Sequence, residues 1–396
     1  MTGSEITGRA LRCSATSLLA AAGLATLGCN DGSEQRYWSV RDSASVEIVE
    51  HAPSAASDVQ QWTLGDVVSD IRQDESDPDR VWRRTIRGFW WGDRGMAVLM
   101  SDPPHVRVFD REGRMTLAFG GAGDGPGELR GPSWAAAYGD SAVVRDGAGL
   151  AIFGPDGTFY RRVAAPSESQ SMIGQSEAGW LFAGHYPSPD AHAHPPRPQP
   201  PTARGFVVQL TRDGEFSDPL IQFETLLTWR VPVSLWGMLR HTAANGERIH
   251  VIGPDQFEIS TYEQGQLSRI VRAPVPGIEG FTEAHFEVTR LAWGPIADLM
   301  IQQDRDADRL RVPAAVSMFA TEQDDLWVRR TDEGPEAPAR VWDVFDREGI
   351  WRATLETPPE FIIQDVRDAE VVGIWTDDYG VSGVRSYALV RTGVGS

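Results

Sequence analysis

With 396 residues, 41% hydrophobic and 23% charged, the chain is long enough to bury a full core, as one large repeat domain or two ordinary ones. Forty glycines, 26 prolines and 14 tryptophans with few long amphipathic stretches point to many short strands and turns, an all-β protein, and exclude a helical bundle. All 37 basic residues are arginine, so chemistry that depends on lysine is excluded in its usual forms: a Walker-type phosphate loop, a Schiff-base enzyme, a protein kinase, a serine-lysine acyltransferase.

Residues 1–29 read as an export signal. Arg9 and Arg12 flank the start of an apolar run, Ser14 to Gly28, that is too short to span a membrane. The run ends at Thr26-Leu27-Gly28-Cys29, which resembles a bacterial lipoprotein signal, with threonine standing where leucine is usual. That resemblance implies lipidation of Cys29, which becomes the new N-terminus; cleavage by an ordinary signal peptidase is the alternative. Polar, acidic residues 30–45 are then a flexible tether. Cys13 leaves with the signal and Cys29 is consumed by lipid, so no thiol remains. Removing Arg9, Arg12 and Glu5 leaves 35 basic against 55 acidic residues, a net charge of 20 negative. Such a surface repels nucleic acid, and the membrane is reached through the N-terminal lipid alone.

Two β-prone segments follow, Val46 to Val49 and Gln61 to Leu64, neither with a local hairpin partner. Repeats begin at Val81. The clearest stretch is VRVFDREGRMTLAFGGAGDGPGEL, Val106 to Leu129: a strand, an Asp110–Gly113 turn in which glycine is comfortable at positive φ, a return strand and a glycine-rich crossover. The pattern recurs as IFGPDGTF from Ile152, QLTRDGEF from Gln209, TYEQGQL from Thr261 and VFDREGIW from Val344. Its turn glycines, 113, 157, 214, 265 and 349, are 44, 57, 51 and 84 residues apart. Those intervals equal one propeller blade of about 40–50 residues plus two insertions. Each unit reads as four strands, in sheets over 82–120, 133–165, 170–223, 236–273, 314–356 and 361–391. The last lacks an outer strand, so residues 46–64 are expected to close the ring. The expected fold is a six-bladed β-propeller over 46–393 with four-stranded antiparallel blades, closed by an N-terminal strand and carrying insertions at 184–204 and 274–313.

The VFDREG turn followed by FGGAGDGPGEL resembles the NHL-type repeats of bacterial six-bladed β-propeller proteins, many of them lipoproteins by their signals. The resemblance covers roughly residues 45–393, though only the first blade keeps the full GPGEL segment. It implies the fold and no particular activity, because such propellers include ligand binders, scaffolds and a minority of enzymes.

Both insertions fall where the loop after a second strand, or the crossover to the next blade, lies on one face. That face is expected to carry function, as loops on a rigid scaffold do. Trp229, Arg230, Trp236 and Arg240 sit at the crossover into the fourth blade, and aromatic and arginine side chains are the usual anchors of protein or sugar sites. His185, Asp190, His192 and His194 are the metal candidates, since imidazole and carboxylate suit zinc, but prolines around them favour an extended polar loop, and no metal is expected there. The run Gly120 to Gly127 lacks phosphate-loop spacing and reads as a crossover in which Glu128 makes a local bond. Phe281 to Asp308 has loosely helical spacing, either a lid or packing on the rim. The acidic clusters 74–79 and 304–308 lack calcium-loop spacing and read as solvated surface.

The expected function is an exported, lipid-anchored, monomeric, non-catalytic binding or scaffold module for an envelope protein, peptide or carbohydrate, with no cofactor. The alternative is a lactonase-like, metal-dependent propeller hydrolase or lyase. The enzyme reading requires several His, Asp, Asn or Glu side chains converging on the channel; the binding reading requires an aromatic and arginine patch.

Overall fold

The computed structural model describes residues 37–164, 169–185, 202–226, 241–253, 256–275, 314–331 and 337–392, with 282–283, 286–287, 290, 294, 297–298 and 301–302 between them. The signal peptide with Cys29 lies outside the described residues. Three strands lead the chain: β1 (Trp38–Ser43), β2 (Val46–His51) and β3 (Gln60–Ile71). Next come β4 (Arg84–Trp90), β5 (Met96–Asp102), β6 (Pro104–Phe109) and β7 (Met115–Phe119), then β8 (Trp134–Tyr138), β9 (Ser141–Asp146), β10 (Gly149–Phe153) and β11 (Phe159–Val163). The third set is β12 (Ser169–Ser176), β13 (Gly179–His185), β14 (Thr202–Thr211) and β15 (Ile221–Leu226), and the fourth β16 (His241–Asn245), β17 (Arg248–Ile252), β18 (Glu258–Glu263) and β19 (Gln266–Arg272). The chain ends with β20 (Ala315–Ala320), β21 (Leu326–Arg330), β22 (Arg340–Phe345) and β23 (Trp351–Thr357), then β24 (Phe361–Arg367), β25 (Glu370–Thr376) and β26 (Ser382–Val390).

Within each set the strands pair antiparallel in chain order. The hairpin between third and fourth strands repeats one device. Asp110, Gly154, Thr211 and Asp346 each accept, at the main-chain oxygen, the N–H of the glycine three residues on, at 2.8–3.0 Å. Glycines 113, 157, 214 and 349 have φ between +76° and +96°, a conformation that a side chain would strain. Asp346 adds a carboxylate bond from the Ile350 N–H at 2.8 Å.

Hydrophobic residues from facing sheets meet in clusters between successive sets. Phe89, Trp91 and Val106 meet Ala135, Val144 and Phe153; Val143 and Ile152 meet Trp180 and Phe182; Leu181 and Val207 meet Ile249 and Val251. Ile252 and Ile259 meet Val328 and Trp351, and Trp342 and Leu355 meet Phe361 and Val371. Val372 and Val384 return to Trp82, Met96 and Val98 of the first sheet. The sheets therefore close a ring, with fully buried tryptophans such as Trp91, Trp180 and Trp351 filling the gaps between them. This all-β architecture is a β-propeller.

Closure by the N-terminus differs in detail from the expectation. The closing strand is β3, which overlaps the expected span 46–64 at its start and runs on to Ile71: Val390 faces Thr63 and Val384 faces Ile71 in antiparallel register, supplying the outer strand that β24–β26 lack. Its first residues also run parallel to β23, Ala353 opposite Gln60. β2 instead pairs parallel with β19, Ile270 opposite Ile48, as a fifth strand of the fourth sheet. Residues 38–43, expected within a tether, form β1, which folds back on β2 through Ala44 and Ser45, both left-handed at φ 51° and 68°. His51 fastens this addition: its Nε2 accepts the Trp351 N–H at 2.9 Å, so its Nδ1 carries the proton donated to Arg272 O at 2.9 Å.

Candidate functional site

The innermost strands β4, β8, β12, β16, β20 and β24 all contribute to one axial cavity of about 220 Å³. Its polar lining includes Arg87, Gln175, Asn245, Glu322 and Asp365, and its aromatic lining Phe89, Trp90, Trp134 and Phe319. Most of these residues sit in the second half of their strands or just beyond, nearer the turns that join first to second strands. The cavity thus leans away from the connections that carry the insertions.

Local irregularity explains why charged side chains reach the axis. β4 slips register against β5 between Thr85 and Arg87, and β24 against β25 between Ile363 and Asp365. A bulge places one extra residue on the inner strand and re-aims the next side chain. Arg87 is held with its guanidinium over the Trp134 ring, 5.1 Å from the centroid, and donates from Nη2 to Gln364 O at 3.3 Å. Its Nε is buried without a hydrogen-bond partner, as is Nε1 of Trp90. Asp365 accepts the Trp90 N–H at Oδ2, 3.3 Å, and the Val366 N–H at Oδ1, 2.9 Å. Burial pushes the Asp365 carboxyl up, opposed by the charge of Arg87 and by these two amides. Burial likewise draws Arg87 down, opposed by Asp365. The two attract, yet no ion pair of 4.0 Å or less joins them.

A second, more open cavity of about 610 Å³ lies beside the turns of the fourth and fifth sheets. Its cation, Arg248, is already committed to Glu263 at 2.8 Å and to Asp324.

The residues singled out from sequence are not the ones lining the axis. Trp229, Arg230, Trp236 and Arg240 lie outside the described residues, as do Asp190, His192 and His194. His185 ends β13, its main chain opposite Gly205. Among the described residues, no group of three or more His, Cys, Asp or Glu is placed to hold a metal ion. The glycine-rich crossover is filled by its own carboxylate: Glu128 Oε2 accepts the Gly125 N–H at 2.7 Å, and a Cβ on Gly123 would lie 1.9 Å from that oxygen. An anion is therefore already seated where a phosphate would go. In the acidic stretch 74–79, Asp74 accepts from the Ser76 N–H at 2.9 Å and Asp77 from the Asp79 N–H at 2.9 Å, ordinary turn bonds. In the insertion before β20, residues 286–287, 297–298 and 301–302 are helical, with Phe286, Ala297 and Ile301 buried, and Arg290 bridges Glu283, Glu287 and Asp298 at 2.7–3.1 Å.

Sequence reasoning missed Arg87 and Asp365. The available signal was a charged residue in the middle of an inner strand, Arg87 in RTIRGFW and Asp365 in FIIQDVR.

Comparison with known proteins agrees with this architecture. A member of the DUF4221 family from Bacteroides vulgatus superposes with a TM-score of 0.50 at 8% identity, over 84% of this chain and 99% of that one. A Bacteroides fragilis protein named as exported gives 0.48 at 12% identity, over 84% and 99%. Regucalcin, a calcium-binding protein from Agrobacterium tumefaciens, gives 0.42 at 10% identity, over 84% and 97%. At 8% identity the likeness to the DUF4221 member is one of fold alone. No family model matches the chain. No curated protein matches it in sequence either. Among the described residues no helix is long and apolar enough to cross a membrane.

Proposed function

We propose that the chain is an exported, lipid-anchored, six-bladed β-propeller that binds a protein, peptide or carbohydrate of the cell envelope without transforming it. Six innermost strands around one cavity support the blade count. The observation that carries the binding reading is the arginine and aromatic pair at the axis, Arg87 over Trp134, with the amides of Gln175 and Asn245 beside it. Convergent polar groups on rigid strands with an aromatic wall are the ordinary make-up of a recognition site. Trp229, Arg230, Trp236 and Arg240, in the sequence between β15 and β16, are proposed as further binding residues. The anchor is the lipid on Cys29; replacing Cys29 by serine is expected to release the protein from membranes in fractionation.

Native mass spectrometry with elemental analysis tests the non-catalytic reading. The expected result is a metal-free monomer whose ligand binding survives chelation. One divalent ion per chain, lost on Asp365→Asn or on replacing His192 and His194, would overturn it in favour of a metal-dependent hydrolase or lyase.

A further inference from the structure

The axial cavity sets one cation, Arg87, against the carboxylates of Asp365 and Glu322 and leaves hydrogen-bonding capacity unused. A guanidinium carries five N–H donors, and Arg87 commits one, to Gln364 O. Its Nε–H and the indole N–H of Trp90 are buried donors with no acceptor among the described residues. Leaving such groups unmet costs on the order of 1–3 kcal/mol each, which an occupant supplying acceptors would relieve. Asp365 takes one amide on each oxygen and retains lone pairs, and the Gln175 side chain at the same cavity carries both a donor and an acceptor.

Charge narrows the occupant. A carboxylate or phosphate would meet Asp365 and Glu322 inside a chain of formal charge −19. A cation would meet Arg87. A neutral group bearing several hydroxyls meets neither repulsion, because each hydroxyl accepts from Arg87 or Trp90 and donates to Asp365 or an amide oxygen. Size narrows it again. The cavity of about 220 Å³ is smaller than the roughly 300–1,000 Å³ of pockets for larger ligands. At roughly 30 Å³ per water it is room for a cluster of waters or one small ring.

We propose that the axial cavity binds one neutral sugar ring, free or at the end of a glycan, with Arg87 and Asp365 bonding its hydroxyls and Trp134 forming the apolar wall. This rests on the binding reading above and narrows it to one ligand class and one locus.

The test is titration of the full-length protein with glucose, galactose, mannose and N-acetylglucosamine, followed by saturation-transfer NMR and calorimetry. At least one sugar is expected to bind in the millimolar range, with an affinity that barely changes between low and high salt. Gln175→Leu is expected to weaken it about tenfold, the worth of one hydrogen bond, with an unchanged thermal midpoint. Arg87→Met should weaken it further. Absence of binding by all four sugars, binding untouched by both substitutions, or a preference for glucuronate that falls with salt would each overturn the proposal. If the sugars fail while a peptide still binds, the sugar assignment falls and the broader binding function stands. A stoichiometric metal would overturn both.

Discussion

The molecule contains the same residue pair in two states. In the wall, Arg330 donates to Asp343 from Nε at 2.8 Å and Nη2 at 2.7 Å, a bidentate pair with the carboxylate fully buried. At the axis, Arg87 and Asp365 attract each other without touching, and each turns to the main chain instead. A closed pair has spent its hydrogen-bonding geometry and serves the fold. An open pair facing a cavity keeps that geometry for something else.

The largest effect should come from breaking the closed pair. Arg330→Met leaves Asp343 buried without a cation, with the Thr354 hydroxyl at 3.4 Å and the Trp351 indole as its remaining partners, and a loss of about 3–5 kcal/mol is expected in urea unfolding. A loss under about 1 kcal/mol would mean that the wall pair is as dispensable as a surface one.

Acid should loosen the wall in a different way. His250 is buried, with Nδ1 bonded to the Thr261 hydroxyl at 3.0 Å and Nε2 unpartnered. Burial, then the charges of Arg248 and Arg269, push its pKa down to about 4. In the unfolded chain it titrates near 6.5. The neutral form is therefore favoured by folding, and its contribution is present above pH 6.5 and lost as pH falls toward 4. About 2 kcal/mol should be gone by pH 5. His51, also lowered by burial, acts in the same direction. Unfolding at pH 7 and pH 5 measures the slope, and His250→Gln should reduce it, leaving the part due to other lowered histidines such as His51 and His241.

The hairpin turns give a smaller, graded test. Gly349 and Gly380 share φ +79°, but a Cβ on Gly349 would lie 2.6 Å from Val271 Cγ2, whereas nothing lies within 4 Å at Gly380. Gly349→Ala should cost about 1–3 kcal/mol and Gly380→Ala the backbone strain alone, about 1 kcal/mol. Equal losses at the two sites would remove packing from the account.

What could be read from the sequence follows the same division. The hairpins were legible because their code is local: an acceptor, two intervening residues and a glycine at positive φ, as at Asp110–Gly113 and Asp346–Gly349. Their repetition carried the fold. The use of an N-terminal strand for closure was legible from the missing outer strand after β26. Its bounds were not, because VEIVEH, at the start of the expected span 46–64, alternates well enough to join any free edge, and the edge it joins is that of β19. The axial site was not legible either. Arg87, Gln175, Asn245 and Asp365 come from four strands spread over most of the chain, and two of them reach the cavity through bulges that periodicity cannot register. Of the candidates drawn from the insertions and the crossover, His185 ends β13 and the others lie outside the described residues.

The most direct test of the contrast is the unfolding free energy of Arg87→Met beside that of Arg330→Met. If the axial arginine is held open for a ligand, its removal leaves Asp365 supported by the Trp90 and Val366 amides, and the loss should be about 1 kcal/mol. A loss of about 3–5 kcal/mol, equal to the wall pair, would make Arg87 a structural cation and contradict the account.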